Sequence, residues 1–559
     1  MSSLLDNLTL GALLKQSVAA FGNKTALAEI DGEEISYAEL GQRVDAVAHL
    51  LHEEGVIAGD RVAILSENCP QWGIAYFALA ALGAIAVPIL PEFHPDEVRH
   101  ILRHSGAKAL FVSEKLYLKI EEAEIPSLLS VILIERFAPV PLRTKKDRLR
   151  ELLLQGEKEF AKLKEAALKL AGKLHHEAAE DDVASIIYTS GTTGSSKGVM
   201  LTHKNIIYDA TATMEIVPLG PEDRMLSMLP LSHAYECTLG LVAPIMAGAA
   251  VYYLDKPPTP RVLLPALQKV KPTILLTVPL VIEKIYKNRI APQFKKNAAV
   301  RSLYKLPWMR KKLHRIAGKK LLATFGGSLR CYCIGGAALN PEVEAFLREA
   351  GFPYAIGYGL TETAPLIFGT GPENTVYRSC GKALRGVECR IDHPHPQTGE
   401  GEICVRGPML MKGYYKDEAR TAEAMRDGWF HTGDLGVLDA NGYLFIKGRS
   451  KNMLLGPSGE NIYPEEIESI LNEDERVLES LVFQQEGKLA ARVYLNYELL
   501  DQLYGAAKLE DKLPDVLEDI RRQTNAKLSS FSRLNKLIVQ PEPFEKTPTM
   551  KIKRYLYVS

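Results

Sequence analysis

Between Tyr188 and Gly198 the chain reads YTSGTTGSSKG, directly after the apolar run VASII. The hydroxyls of Thr189, Ser190, Thr192 and Thr193 are interspersed with Gly191 and Gly194, and Lys197 stands near the end. Glycines let backbone N–H groups approach phosphate oxygens, hydroxyls add donors, and the lysine adds a positive charge. The chemistry expected of such a loop is to hold a polyphosphate. A Walker A loop requires GxxxxGK[ST]; here Lys197 lies between Ser196 and Gly198, so the ordinary NTPase pattern fails.

Further chemistry-bearing segments follow in order: LPLSHAYE (229–236), YGLTET (358–363), GEICVRG (401–407), WFHTGDLG (429–436), GRSKNM (448–453) and FEKTPTMKIKR (544–554). With the loop, they resemble the signature set of the acyl-adenylate-forming superfamily of acyl-CoA synthetases, luciferases and peptide-synthetase adenylation domains. The resemblance runs from ISYAEL (35–40) to the C-terminus. It implies that a carboxylate attacks the α-phosphorus of ATP, so that its oxygen becomes part of a good leaving group, AMP. That step gathers anions, so it needs cations and N–H donors at the phosphates.

The resemblance implies a role for each matching residue. Lys197 and the loop from Thr189 to Gly194 bind ATP. Glu362 is the Mg²⁺ carboxylate with Thr189 as its hydroxyl companion, oxygen ligands of the kind a hard cation takes. Tyr358 offers adenine an aromatic face, Gly359 belongs to the same nucleotide motif, and Gly336 and Ala337 allow backbone approach to the base edge. Thr361 contacts the α-phosphate, Asp434 accepts the ribose hydroxyls, and Arg449 reaches ribose or phosphate. Lys551 is the catalytic lysine, a mobile point charge bridging carboxylate and α-phosphate; Met550 replaces the glycine usual before it. Lys451 is the implied hinge and Gly459 lies on the coenzyme A path. His233 and Tyr235 are candidate acyl-binding residues, although a buried structural histidine is an equally good reading of His233.

Short β-rich runs must position these residues: GDRVAIL (59–65), AIAVPI (84–89), KALFVS (108–113), SVILIE (130–135), VASIIYTS (183–190) and LRCYCIGG (329–336), separated by helical stretches. Their alternation predicts an α/β body of parallel-rich sheets flanked by helices. From about residue 380 shorter strands and turns point to a β-barrel-like subdomain, and a small mobile α+β domain is expected at the C-terminus. The expected border gives domains 1–448, the ATP- and acyl-binding body, and 449–559, a lid. Residues 143–180 read as amphipathic surface helix. Trp72 to Leu90 carries 19 residues without a charge, close to the length of a membrane span. Gly83 and Pro88 divide it into an apolar helix (about 72–82) and a buried strand (about 84–87), the pattern of an α/β interior.

Lys plus Arg and Asp plus Glu each number 68, which removes any global charge argument for nucleic acid. The seven cysteines form no CxxC pair and no Cys/His ligand spacing, so neither a disulfide framework nor a zinc site is expected, and a reducing cytoplasm fits. MSSLLDNLTLGALLKQ lacks the features of a secretory signal, so the chain is expected to begin at Met1. Residues 284–320 hold 13 Lys or Arg and no Asp or Glu. Such a run can be a solvated face, attract coenzyme A phosphates or an acidic carrier protein, or dock peripherally on anionic lipid through Leu303, Leu306 and Trp308. An insert of this kind resembles the long-chain acyl-CoA synthetases. The expected function is therefore ATP- and Mg²⁺-dependent ligation of a long-chain fatty acid to coenzyme A. The alternatives are an acyl-ACP synthetase or fatty acyl-AMP ligase, and a non-catalytic lipid- or nucleotide-binding relative.

Overall fold

The computed structural model describes residues 7–121, 124–141, 144, 149, 176–189, 196–254, 256, 259–296, 298–455, 461–485, 487–505, 509–547 and 552–558. Most of the amphipathic stretch at 143–180 and the loop Ser190, Gly191, Thr192, Thr193 and Gly194 lie outside them, as do Gly459, Met550 and Lys551. Two compact units share the chain. One takes the described residues up to 388 together with 406–428; the other takes 389–405 and 429 onward.

The first unit is α/β, as its alternating runs predict, and is built on two large sheets. One has seven strands, in the order Tyr354–Ile356, Cys331–Ile334, Ile274–Thr277, Arg224–Ser227, Ala250–Tyr253, Thr25–Glu29 and Glu34–Ser36. All its pairings are parallel except that of the last two strands. The other has eight: Gly413–Tyr414, Lys197–Thr202, Val183–Thr189, Ile85–Pro88, Arg61–Leu65, Ala109–Val112, Ser130–Leu133 and Ala138–Val140. Its centre is parallel and its edges are antiparallel, so both sheets are mixed rather than purely parallel.

The uncharged run resolves into the helix Pro70–Leu82, ended by Gly83 at φ 74°, and the strand Ile85–Pro88. Every residue of that helix except Gln71 is buried. Tyr76 and Ser185 hydroxyls meet at 2.9 Å, joining the helix to the eight-stranded sheet. On another side, a Cβ at Gly73 would lie 3.3 Å from Leu27 of the seven-stranded sheet. With the helices Tyr37–Glu53 and Leu10–Phe21 also packed on it, this helix has no face for water, which explains a sequence apolar all round. Among the described residues no helix is long and apolar enough to cross a membrane.

The second unit carries an antiparallel sheet in which Gly401–Arg406 pairs with Trp429–Leu438, and that strand with Leu444–Arg449. It also carries a three-stranded sheet of Val477–Gln485, Lys488–Leu495 and Lys536–Val539, packed with the helices Pro464–Leu471 and Leu509–Asn525 around Ile467, Val482, Val493 and Ile520. This small sheet-and-helix assembly is the α+β pattern expected of the C-terminal region.

Candidate nucleotide and acyl site

The segment expected to hold phosphate is flanked by two paired strands. Val183–Thr189 runs antiparallel to Lys197–Thr202, with Thr189 and Lys197 as the pair nearest the loop. Gly198 is required there by crowding: a Cβ would lie 2.9 Å from Ile186. This pairing therefore delivers Thr189 and Lys197 side by side from residues eight positions apart. In a Walker A motif a helix would follow the loop; here a strand does, which agrees with the failed spacing.

Lys197 Nζ is 2.6 Å from Glu362 Oε1 and donates to the Tyr414 hydroxyl at 2.8 Å, while that hydroxyl donates to Glu362 Oε1 at 2.9 Å. Burial alone would push the Glu362 carboxyl up; the Lys197 ammonium and the Tyr414 hydroxyl outweigh it and hold the group below the usual carboxylate range. Burial and the adjoining carboxylate raise the Tyr414 phenol, so it remains a donor. The Thr189 hydroxyl is buried and has no hydrogen-bond partner among the described residues. An ionised buried carboxylate together with an orphaned hydroxyl makes an oxygen donor pair that fits Mg²⁺.

Glu362 sits in a single helical turn, Thr361–Thr363, whose three side chains are all buried. Thr363 Oγ1 fastens the turn by donating to the Pro365 carbonyl at 2.6 Å and accepting the Leu360 N–H at 2.9 Å, and the Glu362 carbonyl accepts from Met411 N–H at 2.8 Å. Asp209, wholly buried, accepts the Leu366 N–H at 3.1 Å and anchors the strand that leaves the turn. Tyr358 is buried with its ring 6.5 Å from that of Phe368, and Gly359 beside it allows no side chain, since a Cβ would lie 1.8 Å from the Pro365 carbonyl oxygen.

Gly336 and Ala337 lie exposed just beyond the strand Cys331–Ile334, with Gly336 at φ 86°. Tyr235 approaches the same loop: its ring would be 3.2 Å from a Cβ at Gly335, and its hydroxyl donates to the Cys333 carbonyl at 3.1 Å. Its other neighbours form an apolar cluster of Val217, Met225, Leu239, Leu276 and Cys331. His233 is half-buried and caps the next short helix, its Nδ1 accepting from Tyr235 N–H at 3.2 Å.

In the second unit, Asp434 and Arg449 are cross-strand partners, and Arg449 Nε lies 3.0 Å from Asp434 Oδ1. Lys451, two residues beyond Arg449, is exposed. The C-terminal cations Lys546, Lys553 and Arg554 are ion-paired with Glu479, Glu545 and Glu468 respectively.

Sequence reasoning missed Tyr414, Asp209 and Glu236. Tyr414 lies in MKGYYKD, with no charge or spacing to mark it, and only the pairing of Gly413–Tyr414 with Lys197–Thr202 brings its hydroxyl to the ion pair. Asp209 lies inside an amphipathic helix. Glu236 falls within LPLSHAYE, and burial pushes its carboxyl up to about 8; it accepts a 2.6 Å hydrogen bond from Ser227.

A family model described as AMP-binding enzyme matches residues 14–415. The chain is 30% identical over 570 residues to the long-chain-fatty-acid–CoA ligase FadD15 of Mycobacterium bovis, covering 94% of this chain and 91% of that protein. It is 28% identical over 624 residues to the chloroplastic long-chain-fatty-acid–[acyl-carrier-protein] ligase AEE15 of Arabidopsis thaliana, covering 98% of this chain and 84% of that one. The solved structure of ATP-bound MatB from Rhodopseudomonas palustris superimposes with a TM-score of 0.76 at 24% identity, covering 98% of each chain.

Proposed function

The chain belongs to the AMP-binding enzyme family, and from that premise we propose that it activates a long-chain fatty acid as its acyl-adenylate and transfers the acyl group to coenzyme A, releasing AMP and pyrophosphate. The observation that carries the adenylation step is the contact of half-buried Lys197 with the buried Glu362 and Tyr414, together with the buried Thr189 hydroxyl that has no partner among the described residues. Thr189 and Glu362 would hold Mg²⁺, which supplies charge neutralisation at the phosphates. Lys197 then has two electrostatic partners in turn, the Glu362 carboxylate and the phosphate oxygens. Tyr358, Gly359, Gly336 and Ala337 would receive adenine, Thr361 the α-phosphate, and Asp434 with Arg449 the ribose.

An apolar acyl chain is supported by the cluster around Leu239, Leu276 and Cys331, which reaches Tyr235 at the edge of the Gly335–Gly336 turn. His233 and Tyr235 would meet the carboxylate end. Residues 449–559 would act as the mobile lid, hinged at Lys451. One orientation would bring Lys551 to the reacting carboxylate, and the other would turn Gly459 toward the pantetheine path. The pairing of Lys546, Lys553 and Arg554 supports Lys551 as the tail lysine given to chemistry.

The acceptor has a second reading, a carrier-protein thiol, favoured by the likeness to an acyl-carrier-protein ligase. Pyrophosphate release measured with ATP and Mg²⁺ over free acids from acetate to palmitate, with coenzyme A and holo-carrier offered in parallel, tests both. Turnover of long acids with coenzyme A supports the ligase; turnover with holo-carrier alone moves the assignment, and turnover with short acids alone removes the long-chain reading.

The basic segment would meet anionic lipid. Its helix Pro307–Thr324 buries His314, Ala317 and Leu321 against the body, and Trp308 in its first turn and Leu306 just before it are 64% and 45% exposed among cations. Exposed aromatic and aliphatic groups amid lysine are an interfacial pattern. Equal binding to neutral and anionic liposomes removes this contact.

A further inference from the structure

We propose that Asp392, Glu402, Cys404 and His431 form a binding site for a transition-series divalent cation, zinc foremost. Their donor atoms, two carboxylate oxygens, the Cys404 sulfur and a His431 ring nitrogen, all lie within 4.8 Å of one another. Three strands of the second unit supply them. Asp392 ends the strand Glu388–Asp392; Glu402 and Cys404 stand two apart on Gly401–Arg406; and His431 on Trp429–Leu438 is the cross-strand partner of Cys404. The pairing register breaks between Glu402 and Cys404, where two steps along one strand face the four steps from Leu435 to His431 on the other. Such an irregularity re-aims side chains.

His431 Nδ1 is 2.8 Å from Glu402 Oε2 and 3.3 Å from Cys404 Sγ. Tetrahedral zinc with sulfur at about 2.3 Å and nitrogen or oxygen at about 2.0–2.2 Å needs ligand separations of roughly 3.2–3.7 Å, so the two His431 contacts stand at or near that range, while the widest separation of the set, up to 4.8 Å, must close on binding. One thiolate, one imidazole and two carboxylates suit zinc or cobalt and are too soft a set for magnesium. The site is thus chemically unlike the all-oxygen pair of Thr189 and Glu362.

Burial, with Glu402 and Asp392 alongside, pushes the Cys404 thiol up to about 11. A divalent cation reverses that balance: as the sulfur–metal bond forms, the thiol proton leaves to solvent, and the carboxylates become ligands instead of repelling neighbours. The place matters because the other Glu402 oxygen accepts the Gly433 N–H at 3.0 Å, next to Asp434. A bound cation would tie the Asp434 turn to three strands. Sequence spacing hid this set, since it has a single cysteine and its four members spread over 40 positions, 392 to 431.

The test is titration of the chelator-stripped full-length protein with Co²⁺, read by absorbance and by proton release. One saturable equivalent is expected, with a thiolate-to-cobalt charge-transfer band, tetrahedral visible bands, and displacement by Zn²⁺. Cys404→Ser should abolish the charge-transfer band, and Asp392→Asn should weaken Co²⁺ binding by about tenfold or more. Cys331 and Cys333, whose sulfurs lie 3.2 Å apart, are the competing soft pair, and replacing both by Ser should leave the bands intact. No saturable binding, bands that persist in folded Cys404→Ser, or bands lost with the Cys331 and Cys333 changes would each overturn the site. If Cys404→Ser does not fold, unchanged affinity in Asp392→Asn does so instead.

Discussion

Lys197 Nζ and Glu362 Oε1 lie 2.6 Å apart across 165 positions of sequence, and the Tyr414 hydroxyl touches both atoms. Because the carboxylate is buried, its ionisation depends on the ammonium, and removing either member leaves a charge without its compensation. Under the proposed function this pair would exchange partners: phosphate oxygens would take the ammonium as a cation takes the carboxylate. This reciprocity gives the first prediction.

Glu362→Gln should lower pyrophosphate release by about 10²–10³-fold, the usual scale for removing one preorganised electrostatic group. It should also cost about 3 kcal/mol of stability at neutral pH. The Glu362 carboxyl titrates below its ordinary 4.5 in the folded chain. Its stabilisation is therefore complete above the unfolded value and fades as pH falls through the lower folded one. Denaturant melts of both proteins from pH 7 to pH 3 should show the difference shrinking at the acid end; a constant difference would contradict the ion-pair account.

Glu236 behaves in the opposite sense. Its carboxyl is raised from 4.5 to about 8 by burial, so between those values the folded chain holds a proton that the unfolded chain has lost. Stability should fall as pH rises through that window. Glu236→Gln keeps the neutral form at every pH and should flatten that fall, with a gain on the order of 1–3 kcal/mol at pH 8 relative to pH 5. Melts at the two pH values decide it, and parallel profiles would place the ionised form in the core.

Two glycines that the proposed function assigns to nucleotide binding separate crowding from backbone strain. At Gly359 a Cβ meets the Pro365 carbonyl oxygen at 1.8 Å, whereas at Gly336 the nearest atom is 3.8 Å away and only φ 86° opposes a side chain. Gly359→Ala should cost about 3 kcal/mol or more and sharply reduce adenylation. Gly336→Ala should cost about 1–2 kcal/mol. Comparable melting temperatures in the two variants would contradict this ordering.

The sequence made the elements and the motif residues legible because their signals are local. Strand runs such as SVILIE and the division of the apolar run at Gly83 depend on nearest neighbours, and both appear where periodicity put them. What it hid arises from pairing between distant strands. Tyr414 joins Lys197 and Glu362 through an edge strand of two residues, and Cys404 meets His431 through a register break, neither of which leaves a pattern along the chain. The antiparallel edges were missed for the same reason: a β-run carries no mark of its neighbour's direction.

Lys551 lies outside the described residues, yet its neighbours constrain the test of its role. Lys546 is ion-paired with Glu479 and Arg554 with Glu468, whose buried carboxyl is raised to about 7 despite that partner. Removing either cation would unsettle the fold of the tail as well as any chemistry, so a general effect of positive charge cannot be probed there. Lys551→Ala avoids those pairs. If the lysine serves the adenylation orientation, the variant should lose pyrophosphate release by about 10²-fold or more. It should retain most thioester formation from supplied acyl-adenylate and coenzyme A, because that half-reaction would use the other orientation of the lid. Measuring both half-reactions on one preparation separates the outcomes: loss of the first alone supports the assignment, and equal loss of both assigns Lys551 to the fold or to acceptor binding instead.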